Sequence, residues 1–162
     1  GLGEVPADIV EMAFTLRDLK VDSIPVNFFI PIEGARLKNK PDLSPESCLR
    51  ILCLFRLLNP KADIRISAGR EIYLRNMETL AFYPATSLFI DGYLNAKGDR
   101  SLKTLCSLND AGFTVKSDFP LEELIEKEFA QIKIEDNNTT KEIRLKKETD
   151  LRPMAGLKLW KI

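Results

Sequence analysis

The stretch Asp63-Ile64-Arg65-Ile66-Ser67-Ala68-Gly69-Arg70-Glu71 decides the fold class. Ile64 and Ile66 alternate with Asp63, Arg65 and Ser67, which is the period of a strand with one apolar face. Gly69 ends the run, and a helical pattern follows over about Glu71–Phe82. Upstream, Ser44 reads as an N-cap with Pro45 at the first helical position. The helix it opens runs to Leu58 and is apolar over most of its surface. Downstream, Thr86–Ile90 reads as a strand closed by Asp91-Gly92. An amphipathic helix over about Leu102–Ala111 follows, with Gly112 as its C′ residue. Further upstream a helix is expected over Val5–Lys20, then a strand over Ser23–Ile30 and a loop over Pro31–Pro41. Strands that alternate with helices make this an α/β chain built from parallel units. Three strands, with a stub at Gly1–Gly3, leave edges and faces that a parallel sheet must cover. The chain therefore reads as part of something larger.

Beyond Gly112 the pattern changes. Phe113–Phe129 is expected to form one more helix, through Leu121, Leu124, Ile125 and Phe129. Residues 133–152 are dominated by Lys, Glu, Asp, Asn and Thr, the composition of a mobile polar tail. The end of the chain, Leu151–Ile162, carries the only Trp, Trp160.

Composition removes several function classes. Lys plus Arg is 24 and Asp plus Glu is 24, so no net charge argues for nucleic acid or an anionic membrane surface. No apolar run approaches the roughly 20 residues of a transmembrane helix, and the first residues show no signal peptide. The cytoplasm is the expected location. The chain has no histidine, which excludes Ser-His-Asp and Cys-His catalysis and His-ligated zinc within it. Of the three cysteines, Cys48 and Cys53 lie about 140° apart around a helix, and Cys106 stands alone. Each is expected to be a buried structural thiol.

Period-two alternation also says which polar residues share a face. Ser23, Pro25, Asn27 and Phe29 point one way, and Ile24, Val26, Phe28 and Ile30 the other. Asp63, Arg65 and Ser67 oppose Ile64 and Ile66; Ser87 and Phe89 oppose Leu88 and Ile90. One face thus gathers Ser23, Asn27, Arg65 and Ser87. An arginine there is costly unless something charged is bound. Equally open from spacing alone is a pairing of Arg65 with Asp63 or Glu71 in solvent.

In order, Ser23-Ile24-Pro25-Val26-Asn27, Glu33-Gly34, Pro45–Pro60, Ile64-Arg65-Ile66-Ser67-Ala68-Gly69-Arg70-Glu71 and Gly92-Tyr93-Leu94 resemble the biotin synthase family. Gly1-Leu2-Gly3-Glu4 looks like the end of that family's motif on its fifth barrel strand. The resemblance covers residues 1 to about 113. It implies the C-terminal part of a (β/α)8 TIM-type barrel, incomplete in this chain, with residues 1–112 running from the end of strand five to helix eight. Residues 113–162 are then a C-terminal extension. It also implies radical S-adenosylmethionine chemistry, with a 4Fe–4S cluster that cleaves S-adenosylmethionine and a 2Fe–2S cluster that gives its sulfur to dethiobiotin.

Carried over by that resemblance, Arg65 matches an arginine ligand of the 2Fe–2S cluster, and Ser23 and Ser87 match serines of its pocket. Asn27 matches the asparagine that holds dethiobiotin. Gly1, Gly3 and Glu4 match the motif around S-adenosylmethionine, and Ile30 falls near its adenine. The family's cluster cysteines lie upstream of Gly1, and Cys48, Cys53 and Cys106 match none of them. Other departures are Glu33-Gly34-Ala35-Arg36 for Gly-Thr-Pro, Asn95-Ala96 for Thr-Thr, and Pro84-Ala85-Thr86 for Gly-Ala-Asn. The implied partners are the missing N-terminal half-barrel and a second copy in a homodimer, and the piece alone is expected to be inactive. Two other readings stand beside this one: a different radical enzyme with the same C-terminal region, and a degenerate half-barrel that folds by self-association or with a partner.

Overall fold

In the computed structural model, the described residues are 1–31, 37, 42–90, 92–93, 96–97 and 101–138. Three short strands, β1 (Ser23–Val26), β2 (Asp63–Ile66) and β3 (Ser87–Leu88), form a parallel sheet in the order β1-β2-β3. The register sets Ser23 opposite Asp63, Pro25 opposite Arg65, and Arg65 opposite Ser87. The helices are α1 (Pro6–Asp18), α2 (Pro45–Leu58), α3 (Arg70–Leu74), α4 (Glu78–Ala81), α5 (Ser101–Asp110) and α6 (Leu121–Asn138). A small antiparallel pair, β4 (Gly92–Tyr93) with β5 (Ala96–Lys97), was not foreseen from the sequence. The chain divides into one unit over Gly1–Glu128 and another over Phe129–Ile162. Of the second, the described residues are 129–138, all helical.

The helix ends follow their local chemistry. Ser44 Oγ accepts the Ser47 amide at 3.1 Å, with Pro45 at the first helical position. The Asp8 carboxylate accepts the Val5 amide at 2.9 Å, where a negative charge suits a helix N-terminus. Helix α5 ends as expected: Gly112, at φ +75°, gives its amide to Asn109, and Phe113 reaches back to Leu108. That is the double bond of a Schellman turn.

Strand alternation decides the core. Ile24, Val26, Phe28, Ile64 and Ile66 are buried against Cys48, Leu52 and Phe55 of α2 and Tyr73 and Leu74 of α3. Alternate residues Ser23, Pro25 and Asn27 are exposed, and Asp63 and Arg65 are half-buried.

Four expectations need correction. β1 stops at Val26 because the chain beside it is already turning at Ser67–Gly69. The helix expected over Glu71–Phe82 breaks at Arg75, which sits at φ +52°. Unbroken, it would place Glu78 about 12 Å further along its axis than Arg70; the break lets the two meet at 3.2 Å. The helix expected from Phe113 begins at Leu121, because Pro120 can open a helix but not continue one. Among the cysteines, Cys48 is fully buried, Cys106 is half-buried, but Cys53 is exposed. A helix sequence that is apolar over most of its surface, as on α2, does not say which of its faces meets the core. The loop residues 32–36 and 38–41, Asn95, and the tail from 139 with Trp160 lie outside the described residues.

Burial pushes the Cys48 thiol up to about 11. A thiol reagent at pH 8 is therefore expected to modify Cys53 readily in the folded chain and to reach Cys48 only on unfolding. Mass spectrometry of the labelled peptides checks this; equal labelling of the two would contradict the core placement.

Candidate functional site

On the polar face of the sheet one carboxylate gathers the neighbouring polar groups. Arg65 Nη2 donates to Asp63 Oδ2 at 2.8 Å, and Arg65 Nε donates to Ser87 Oγ at 2.9 Å. The Ser87 hydroxyl donates in turn to Asp63, 2.8 Å from Oδ1 and 3.0 Å from Oδ2. Thr86 also gives its hydroxyl to Asp63 Oδ1, and Ser23 Oγ lies 3.3 Å from Oδ2. The Phe89 ring lies under the guanidinium, 5.6 Å from its centroid to the central carbon. These contacts join three strands that are remote in sequence, and the parallel register creates them.

The same contacts set the electrostatics. The Thr86 hydrogen bond, then those of Ser87 and the Arg65 charge, hold the Asp63 carboxyl below its ordinary range, against a smaller opposing effect of burial. A depressed carboxylate stabilises the fold above its ordinary pKa near 3.9. That contribution is lost as pH falls through the lower folded-state value.

Asn27 sits one residue beyond β1. Its Oδ1 accepts the Ala68 amide at 3.2 Å. The same joint includes Phe28 N–H to the Ala68 carbonyl at 2.8 Å and the Tyr73 hydroxyl to the Phe29 carbonyl at 2.7 Å. With one Oδ1 lone pair engaged by Ala68, Asn27 keeps both Nδ2 donors and a second acceptor site for anything bound beside the sheet.

Near the start of α1, Glu4 accepts the Leu2 amide at 2.6 Å. A cavity of about 780 Å³ opens along β1, between α1 and α2, with Glu4, Met12, Leu16, Pro25, Phe29 and Ile51 among its walls. Gly1, Ser23 and Asn27 also border it, whereas Gly3 and Ile30 do not.

Of the residues singled out in the sequence, the structure thus joins Ser23, Arg65 and Ser87 in one network and sets Asn27 just beyond it. The sequence reading named Asp63 only as an alternative partner for Arg65. Its position on the same strand face as Arg65 was the available signal; its role as acceptor for four side chains needed the register. The described residues contain no group of three or more His, Cys, Asp or Glu arranged to hold a metal ion. None of their helices is long and apolar enough to cross a membrane.

Against known proteins, residues 25–114 match the Biotin and Thiamin Synthesis associated domain. This is more than half of the chain, and the chain belongs to that family. Curated biotin synthases are among the relatives it matches. It is 54% identical over 113 residues to the biotin synthase of Leptospira interrogans serovar copenhageni, covering 70% of this chain and 32% of that protein. It is 49% identical over 121 residues to that of Acaryochloris marina, covering 75% and 35%. For Magnetococcus marinus the values are 52% over 116 residues, covering 72% and 36%. The chain spans about a third of the length of these relatives and corresponds to their C-terminal region.

Proposed function

We propose that this chain is the C-terminal part of a biotin synthase, which inserts sulfur into dethiobiotin by radical S-adenosylmethionine chemistry. Residues 1–112 then supply the last strands of a (β/α)8 TIM-type barrel, with 113–162 as an extension. What supports the reading most is one convergence. Arg65, Ser23 and Ser87, picked out by resemblance, share a hydrogen-bond network on the polar face of a parallel sheet, in a chain 54% identical to a biotin synthase over 113 residues. The open β1 edge and the cavity beside it fit a sheet that continues into further strands.

The residues suit one protein-side contribution to a 2Fe–2S cluster rather than a whole cluster site. Arg65 keeps a guanidinium nitrogen, Nη1, without a hydrogen-bond partner among the described residues, while its Nε and Nη2 are held. The cysteines lie elsewhere: Cys48 in the core, Cys53 exposed on α2, Cys106 on α5. The remaining ligands of the 2Fe–2S cluster, and those of the 4Fe–4S cluster, come from the N-terminal half-barrel, so residues 1–162 alone are inactive. When bound, the 2Fe–2S cluster supplies the sulfur. This chain's residues would orient and enclose: Arg65 would offer Nη1 as a ligand nitrogen, which needs a proton to leave Nη1 for solvent as it binds, Ser23 and Ser87 would line the pocket, and Asn27 would donate from Nδ2 to dethiobiotin. Gly1, Gly3, Glu4 and Ile30 lie along the S-adenosylmethionine site. The whole protein works in the cytoplasm as a homodimer.

The decisive experiment uses the full-length protein, with its cysteine-bearing region, reconstituted anaerobically with iron and sulfide. Arg65→Ala is expected to change the visible and paramagnetic spectra of the 2Fe–2S cluster while leaving the 4Fe–4S signal in place. An unchanged 2Fe–2S spectrum overturns the ligand assignment.

A further inference from the structure

The geometry points to Asp63 as the positioning residue of the Arg65 site: it grips one edge of the guanidinium, directly and through Ser87, so that only Nη1 is presented for coordination. The inference rests on the reading of Arg65 as a cluster ligand and goes beyond it.

The observations form a closed circuit. A guanidinium is a planar fork whose Nε and Nη2 donors lie along one edge. Both donors are engaged, Nη2 by the Asp63 carboxylate at 2.8 Å and Nε by Ser87 Oγ at 2.9 Å. Ser87 spends its single proton on the same carboxylate. The two arms therefore converge on Asp63, and the ring of contacts fixes the plane of the fork as well as its position. Phe89 lies against one face of that plane. Arg65 is still 40% exposed on its side chain, so packing alone does not fix the orientation of a long, rotamer-rich side chain.

Asp63 is itself held. Thr86 donates to the carboxylate, Ser23 lies within reach at 3.3 Å, and the carboxylate sits at the first position of β2, where the backbone is paired with β1. A charge-assisted bond to a fixed carboxylate is about twice as strong as a neutral one. The consequence is specific. Asp63 touches no ligand; it acts by deciding which nitrogen of Arg65 is free. Removing its charge leaves Arg65 in place but lets the fork rotate.

Two measurements test this. In residues 1–162, the exchange of the Arg65 Nε–H with solvent is followed by nitrogen-15 NMR in wild type, Asp63→Asn and Asp63→Glu. In the reconstituted full-length protein, the one-electron reduction equilibrium of the 2Fe–2S cluster is measured in the same variants and in Arg65→Ala. Asp63→Asn is expected to speed Nε–H exchange about tenfold and to shift the reduction equilibrium about tenfold, or about 59 mV, in the direction of Arg65→Ala. Asp63→Glu, which keeps the charge, should lie closer to wild type in both. If Arg65→Ala moves the cluster but Asp63→Asn does not, the positioning role is overturned and the ligand reading stands, whatever the exchange rate does. If Arg65→Ala leaves the cluster unchanged, the ligand reading falls and takes this role with it. Should Asp63→Asn fail to fold, Asp63→Ser carries the same comparison.

Discussion

Gly69→Ala is expected to destabilise the fold by about 4 kcal/mol, visible as a fall of about 15 °C in the thermal midpoint. Gly69 sits at φ +84°, in the left-handed region that costs a residue with a Cβ about 1–2 kcal/mol. The larger effect is steric. A Cβ built at this position meets the Phe28 carbonyl oxygen at 2.2 Å and the Phe28 Cβ at 2.9 Å. Neither is the flexible end of a side chain: one is backbone, the other the root of a core residue that is 2% exposed. The chain after β1 would have to move away from the Ala68–Gly69 turn. That movement strains the Phe28–Ala68 bond, the Asn27–Ala68 bond and the Tyr73–Phe29 bond together. Each is worth about 1 kcal/mol, and overpacking adds about 1–3 kcal/mol. Asn27 belongs to the same joint, so on the role proposed for it above dethiobiotin affinity in the full-length protein should fall as well. A midpoint within about 3 °C of wild type would mean that the turn yields freely, since 1 kcal/mol is worth about 2–8 °C.

How much of this was legible beforehand depends on the range of the interaction. The faces of β1 and β2 were legible, because period-two alternation is local and needs no partner: Ile24, Val26, Ile64 and Ile66 are buried where alternation put them. The N-cap at Ser44 and the Gly112 turn were legible for the same reason. The helix break at Arg75 was not, since the residue that profits from it, Arg70, is reached by tertiary pairing rather than by propensity. Pro120 did carry a local signal for the start of α6, and the apolar pattern from Phe113 hid it. Cys53 illustrates a different limit. On α2 the sequence is apolar nearly all round, so periodicity cannot choose the buried side. At the site, Arg65, Ser23 and Ser87 were readable from the resemblance and from strand faces. The central role of Asp63 required knowing that Ser23 lies opposite Asp63 and Arg65 opposite Ser87, which is a fact about pairing between distant segments.

Arg70→Ala should destabilise the chain by about 3–5 kcal/mol, the range for breaking a buried ion pair from one side. Arg70 is 1% exposed and the largest fully buried side chain described. Its Nε lies 3.0 Å from Glu71 Oε1, its Nη1 3.2 Å from Glu78 Oε1, and its Nη2 donates to Thr104 Oγ1 at 3.2 Å. One guanidinium therefore ties the start of α3 to α4 and α5. Removing it takes the guanidinium away from two largely buried carboxylates, 3.0 Å from it at Glu71 and 3.2 Å at Glu78, and a buried charge that loses a partner is costly. The attribution to charge, not volume, is testable by a cycle. Arg70→Met restores most of the apolar volume but leaves the carboxylates, so it should recover little. Arg70→Met combined with Glu78→Gln removes the carboxylate charge that faced Nη1, and with Glu78→Gln alone as the fourth protein the cycle isolates what the two residues share; the double variant should be more stable than the sum of the single changes predicts. Denaturant unfolding of the four proteins gives the coupling. If Arg70→Met alone restores wild-type stability, packing rather than charge holds α3, α4 and α5 together, and the buried pair is incidental. If the cycle shows strong coupling, the Arg70–Glu78 pair is a structural clamp between α3 and α4. It then anchors the turn that carries Ala68, whose amide Asn27 Oδ1 accepts, so a buried ion pair outside the sheet holds the end of β1 in place.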